Sequence, residues 1–170
     1  NSISEDTAKF FMKAPDNNML QFVLSKKVLL VEGDAEYILM EALYKRVTGN
    51  EIADSGISVI AVDGKCFKRY LEIAKVIHVK VAVITDNDGN YQDNIEDNYA
   101  DYMNRQFPNI QVFADSDNNR YTFEVCMYKE NTQTCNDVFS FPRRKLSIQD
   151  YMLSNKAEAA FKLLSDKADV

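Results

Sequence analysis

Two short apolar runs in this chain stop abruptly at carboxylates. Val28-Leu29-Leu30-Val31 leads into Glu32-Gly33-Asp34-Ala35-Glu36, and Val81-Ala82-Val83-Ile84-Thr85 leads into Asp86-Asn87-Asp88-Gly89. Carboxylates brought together repel one another, which raises their pKa values and costs folding free energy unless a cation lies between them. The donors are all oxygens, a set that suits Mg²⁺ or Mn²⁺ better than zinc. Two such ions, about 3.5–4 Å apart, are the usual device for in-line displacement at a phosphate. The chemistry expected of Glu32, Asp86 and Asp88 is therefore phosphodiester hydrolysis.

Spacing refines the set. Asp86 and Asp88 share a side if the chain stays extended between them, although Asn87-Asp88-Gly89 is also a turn-forming triplet. Gly33 would let the backbone turn tightly after the first strand. Glu36 falls in the first turn of the following helix, where a carboxylate either favours the helix dipole or faces the same ion as Glu32.

These residues must be positioned by alternating strands and helices. Residues 28–32, 57–62, 81–85 and 110–114 read as strands, and 34–47, 65–77 and 93–107 as helices, with Gly49-Asn50 and Pro108 as stops. That order implies an α/β fold, a mainly parallel sheet flanked by helices. Ligands of such sheets sit at the carboxyl ends of the strands, where Glu32, Asp63, Asp86 and Asp88 all fall. A helical lead-in occupies residues 1–26, broken or kinked at Pro15, and either covers the domain's own core or docks on a neighbour. The core spans 27–115. An extension over 116–170 reads as a polar loop, a short helix near 122–128, another polar stretch to Asp137 and C-terminal helices near 147–153 and 156–164.

Composition sets bounds. With 170 residues, 46% of them hydrophobic and 27% charged, the chain can bury one full core. Its apolar runs are too short to cross a bilayer and no basic-then-apolar segment opens it, so a cytoplasmic location is expected. The three cysteines form neither an even framework nor a Cys-x-x-Cys pair. A start at Asn1 suggests a piece of something longer. The net charge of −6 is unlike a free-standing nucleic-acid binder, although bound cations would invert the local field. Lys65, beside Lys68 and Arg69, and the cluster Arg143-Arg144-Lys145 are the basic residues that could meet a phosphate backbone, with a solvated face the plainer reading of the first group. His78 follows an apolar helix and reads as a capping or packed residue. No Gly-x-Ser-x-Gly elbow and no Gly-x-x-x-x-Gly-Lys loop occurs, so no serine hydrolase or ATPase is expected here.

With Glu32-Gly33 at the first strand and Asp86-x-Asp88 at the third, residues 27–115 resemble the Toprim domain of topoisomerases, bacterial primases and certain nucleases. Leu30-Val31-Glu32-Gly33-Asp34-Ala35-Glu36, with the lead-in Phe22-Val23-Leu24-Ser25-Lys26-Lys27, is most similar to the overcoming-lysogenisation-defect (OLD) nucleases, including the nuclease subunit of the Gabija phage-defence system. The resemblance implies a DNA endonuclease using two divalent ions, Mg²⁺ or Mn²⁺. It also implies a longer protein with an N-terminal ABC-type ATPase, a homo-oligomer, and a possible helicase-like partner subunit. By motif, Glu32 and Glu36 match the first acidic element and Asp86 and Asp88 the Asp-x-Asp; Thr122-Phe123-Glu124 looks like the later element that completes the metal shell. Lys156 is similar to the family's C-terminal lysine, placed to steady the scissile phosphate. Where relatives often show Gly-Gly after the second strand, this chain has Asp63-Gly64. The rival readings are a Toprim module that binds without cutting, a topoisomerase or primase, and a phosphatase built on Asp86-x-Asp88.

Overall fold

The computed structural model describes residues 3–13, 17–62, 66–103, 106–140 and 145–166. At its centre are four parallel strands, β1 (Lys27–Val31), β2 (Ile57–Ala61), β3 (Lys80–Ile84) and β4 (Ile110–Phe113), in the order β2-β1-β3-β4. β1 and β3, each an unbroken run of four apolar residues, take the two central positions, where both neighbours are strands. Their register sets Leu30 beside Val83 and Ile84 beside Phe113. The carboxylates that follow β1 and β3 therefore emerge at one edge, from neighbouring strands.

Alternation splits the sheet into two faces. Val28, Leu30, Ile60, Val81, Val83, Ile110 and Val112 belong to one core. Helix α4 (Phe67–Ile77) and the lead-in helices α1 (Glu5–Lys13) and α2 (Asn17–Leu24) bring Phe67, Leu71, Phe11 and the fully buried Phe22 to it. The lead-in thus packs on the domain's own core. Arg69 stitches α1 in place, donating from Nη1 to the Asp6 carbonyl at 2.9 Å and lying over the Phe10 ring, so it serves packing. Lys68 lies over the Tyr99 ring.

The other face carries α3 (Asp34–Thr48), which ends at Gly49 in the left-handed conformation (φ 73°), the residue type that pays least for that geometry. Against α3 packs a second core from α6 (Phe123–Glu130), α7 (Thr132–Val138), α8 (Ile148–Ser154) and α9 (Lys156–Asp166), with Leu39, Cys135, Phe139, Met152 and Leu163 at its centre. His78 caps α4 with positive φ, its N–H donating to the Ala74 carbonyl.

Two stretches depart from expectation. The helix expected over 93–107 is a π-helical turn, Gln92–Asp97, followed by the short α5 (Ala100–Met103). The stretch is rich in Asn, Asp and Gln, whose side chains compete for local hydrogen bonds: Asn90 pairs with Asp93 through both backbone and side chain, and Gln92 with Asp97. Conversely α7 lies where a polar stretch was expected. It buries only Cys135 and Val138, one turn apart, and shows its polar residues to water. Among the described residues, no helix is long and apolar enough to cross a membrane.

Candidate metal centre

Glu32 follows β1 directly. Its Oε2 accepts from the Thr85 hydroxyl and from the Asp86 N–H, both at 3.2 Å, so the carboxyl ends of the central strands are tied through this one oxygen. Asp86 in turn accepts at Oδ1 from the Phe123 N–H at 2.8 Å, which fixes its carboxylate against the start of α6. Burial pushes the Asp86 pKa up to about 7, with the neighbouring Glu32 and Glu36 carboxylates adding to the rise and Lys156 opposing it.

Glu36 sits in the first turn of α3, only 4% exposed, and its Oε2 accepts from the Gly33 N–H at 3.2 Å. Burial raises its pKa and Glu124 adds to the rise. Glu124, in the first turn of α6, is 2% exposed, and neither of its oxygens receives a hydrogen bond. Its near neighbour is the Lys156 ammonium, 3.1 Å from Oε2, at the start of α9. Burial alone would lower the Lys156 pKa, but Glu124, Asp86 and Glu36 together raise it. Thr122 is the N-cap of α6, its hydroxyl accepting from the Val125 N–H at 3.3 Å, and so presents Glu124 at the head of the helix.

Asp88 behaves differently. The chain leaves the extended conformation here: Asp88 has φ 51° and Gly89 φ 77°, and the Asp88 N–H donates to the Tyr121 carbonyl at 3.1 Å. The turn reading of Asn87-Asp88-Gly89 holds, and Asp88 lies exposed at the rim instead of repeating the side of Asp86. Gly33 is likewise not a tight turn. It is extended at φ −149°, and an added Cβ would make only ordinary contact with Glu36. Lys65, Arg143, Arg144 and Asp63 lie outside the described residues.

Asn87 is the site residue that spacing alone did not single out. It is 1% exposed; its Nδ2 donates to the carbonyls of Asp115 (2.7 Å) and Asp117 (3.0 Å), and its Oδ1 accepts from the Gly89 N–H (2.7 Å). The residue between the two aspartates therefore locks the loop after β3 to the loop after β4. An Asn flanked by acids before a glycine signals a turn, and only the fold supplies its second partner.

Among the described residues, no three His, Cys, Asp or Glu side chains already stand as a group that could hold a metal ion. The chemistry of the cluster nevertheless fits one. All the donors are oxygens, and burial with mutual repulsion raises the Asp86 and Glu36 pKa values despite the one ammonium, Lys156, that opposes the rise.

Residues 23–88 match the family model described as "Overcoming lysogenization defect protein-like, TOPRIM domain". The chain is similar to the Old nuclease of Escherichia phage P2, 37% identical over 73 residues, covering 42% of this chain and 12% of that protein's length. In fold it is similar to the C-terminal region of the Burkholderia pseudomallei OLD protein (TM-score 0.57, 16% identity, 84% of this chain and 89% of that one). The C-terminal region of the Xanthomonas campestris pv. campestris OLD protein gives a TM-score of 0.54 at 17% identity, over 84% and 85% of the two chains.

Proposed function

We propose that this chain, whose residues 23–88 match the family model of the OLD-like TOPRIM domain, is a divalent-metal-dependent DNA endonuclease domain that hydrolyses phosphodiester bonds. One observation carries the reading: Glu32, Glu36, Asp86 and Glu124 act on one another electrostatically at the carboxyl edge of the sheet, with the Lys156 ammonium among them. Structural carboxylates are ordinarily paired or solvated, and a buried like-charged group marks a functional centre.

Glu32, Asp86, Glu36 and Glu124 would hold Mg²⁺ or Mn²⁺, with Asp88 contributing from the rim. Divalent ions bound there supply Lewis acidity toward a phosphate oxygen and acidify a nucleophilic water. The chain's own residues do the positioning. The Phe123 N–H holds one Asp86 oxygen and leaves the other available, Thr122 anchors the helix that presents Glu124, and Asn87 keeps the Asp86 loop from shifting. Lys156 stands within the field of the same carboxylates and offsets the charge that develops on the phosphate. Lys65, Arg143 and Arg144 are the proposed contacts to the DNA backbone. The chain spans 12% of the phage relative's length, and we propose that an ABC-type ATPase in the same longer protein, homo-oligomer formation and a helicase-like partner belong to the whole assembly.

Cleavage of supercoiled plasmid in Mg²⁺, Mn²⁺ or EDTA tests the reading, with Asp86→Ala and Lys156→Ala alongside. Metal-dependent nicking that both variants lose supports it. Retained cleavage by Asp86→Ala would overturn the assignment. Absence of both cleavage and calorimetric metal binding in the unaltered chain would favour a Toprim module that does not cut.

A further inference from the structure

A pocket of about 260 Å³ opens beside Asp86, between the carboxyl ends of β3 and β4. Ile84, Phe113, Ala114 and Phe123 give it a largely apolar and aromatic lining, and Asp86, Asp115 and Arg120 line it as well. Phe113 is 52% exposed, although the register sets it beside Ile84, itself two residues before Asp86. The Arg120 charge is already met by Asp115, 2.6 Å from its Nε, and by Glu130 at Nη1. The pocket thus has no spare cation for a phosphate, and it offers an exposed ring.

We propose that this pocket receives one unpaired nucleobase next to the scissile phosphate, stacked on Phe113, so that the chain acts on single-stranded or frayed DNA in preference to intact duplex. The inference rests on the nuclease reading of the Asp86 cluster. A phosphate at that cluster carries its nucleoside within reach of the pocket, and a base can enter only if it has left its stack and its partner. Charge points the same way. With a net charge of −6 the chain is poorly suited to binding through phosphate neutralisation alone, whereas stacking on an aromatic ring needs no positive charge and tolerates any base.

The test is equilibrium binding of a fluorescent single-stranded oligonucleotide and its matching duplex to the chain in Ca²⁺, with wild type, Phe113→Ala and Phe113→Tyr, and cleavage in Mn²⁺ followed on the same samples. Tighter binding of the single strand, an about tenfold loss in Phe113→Ala, rescue by Phe113→Tyr and an unchanged melting temperature are expected. A Phe113→Ala chain that binds single strands as well as wild type overturns the pocket, as does equal affinity for duplex or no binding at all. The pocket fails alone if wild type cleaves plasmid in Mn²⁺ and Phe113 proves immaterial. The nuclease reading fails alone if Phe113-dependent binding occurs without any cleavage.

Discussion

Asp86 is the residue at which folding and the proposed metal site conflict. Its carboxyl ordinarily titrates near 3.8 and is pushed up to about 7 in the folded chain, by burial first and then by Glu32 and Glu36. A carboxyl whose pKa rises on folding leaves stability intact below its unfolded value and withdraws it as pH climbs toward the folded one. In EDTA, Asp86→Asn should therefore match wild type near pH 4. It should exceed wild type at pH 8 by on the order of 2–4 kcal/mol, because the amide oxygen can still accept from the Phe123 N–H. Added Mn²⁺ should reverse the ranking at pH 8 by stabilising only the chain that keeps the carboxylate. Chemical denaturation across that pH range checks both halves, and a variant no more stable than wild type at pH 8 would show that the repulsion is not borne by Asp86. Glu32 and Asp86 were legible from sequence because each ends a buried apolar run. The geometry of Asp88 was not, since the Asn-Asp-Gly triplet fits an extended motif and a turn equally well until the Tyr121 carbonyl decides it.

Between elements, the informative joint is the one Asn87 makes from β3 to the loop after β4. Asn87→Ala would remove the side-chain donor to the Asp115 carbonyl and one of the two donors to the Asp117 carbonyl, which keeps the Arg120 N–H, a cost of about 1–2 kcal/mol. It should also weaken Mn²⁺ binding, because Asp86 is the preceding residue. Urea unfolding and calorimetry on the same variant separate the two effects, and a loss of stability with full metal affinity would make Asn87 purely structural. The strands were readable because β1 and β3 are continuous apolar runs that only a doubly covered position tolerates. Residues 93–107 misled because their apolar spacing, Ile95, Tyr99, Tyr102, is helical while the Asn and Asp side chains just before them capture local backbone and side-chain groups. Helix α7 went unread because two buried residues make no periodic pattern.

At the scale of the whole molecule, the first core lies on one face of the sheet, Val31, Met40 and Ile52 join α3 to the other, and the second core joins α3 to α6, α7, α8 and α9, with the acidic cluster where α3 and α6 start. Leu163, 1% exposed on α9, belongs to the second core and is remote from the carboxylates in sequence. Leu163→Ala should cost about 3 kcal/mol. If the two cores are one cooperative unit, helix and sheet signals will fall together. Separate transitions by two probes would show that the second core melts independently and takes Lys156 with it. The chain ordering of that cluster has a consequence for synthesis. Glu32, Glu36 and Asp86 leave the ribosome together with the strands, whereas Glu124 and then Lys156 come late, so the growing polypeptide meets the first part of the repulsion before the ammonium that offsets it has been made. A nascent chain can complete its strands before the proposed metal centre, which is complete only when α9 docks and brings its ammonium to the buried glutamate. Synthesis order would thereby delay the proposed nuclease activity until α9 is in place.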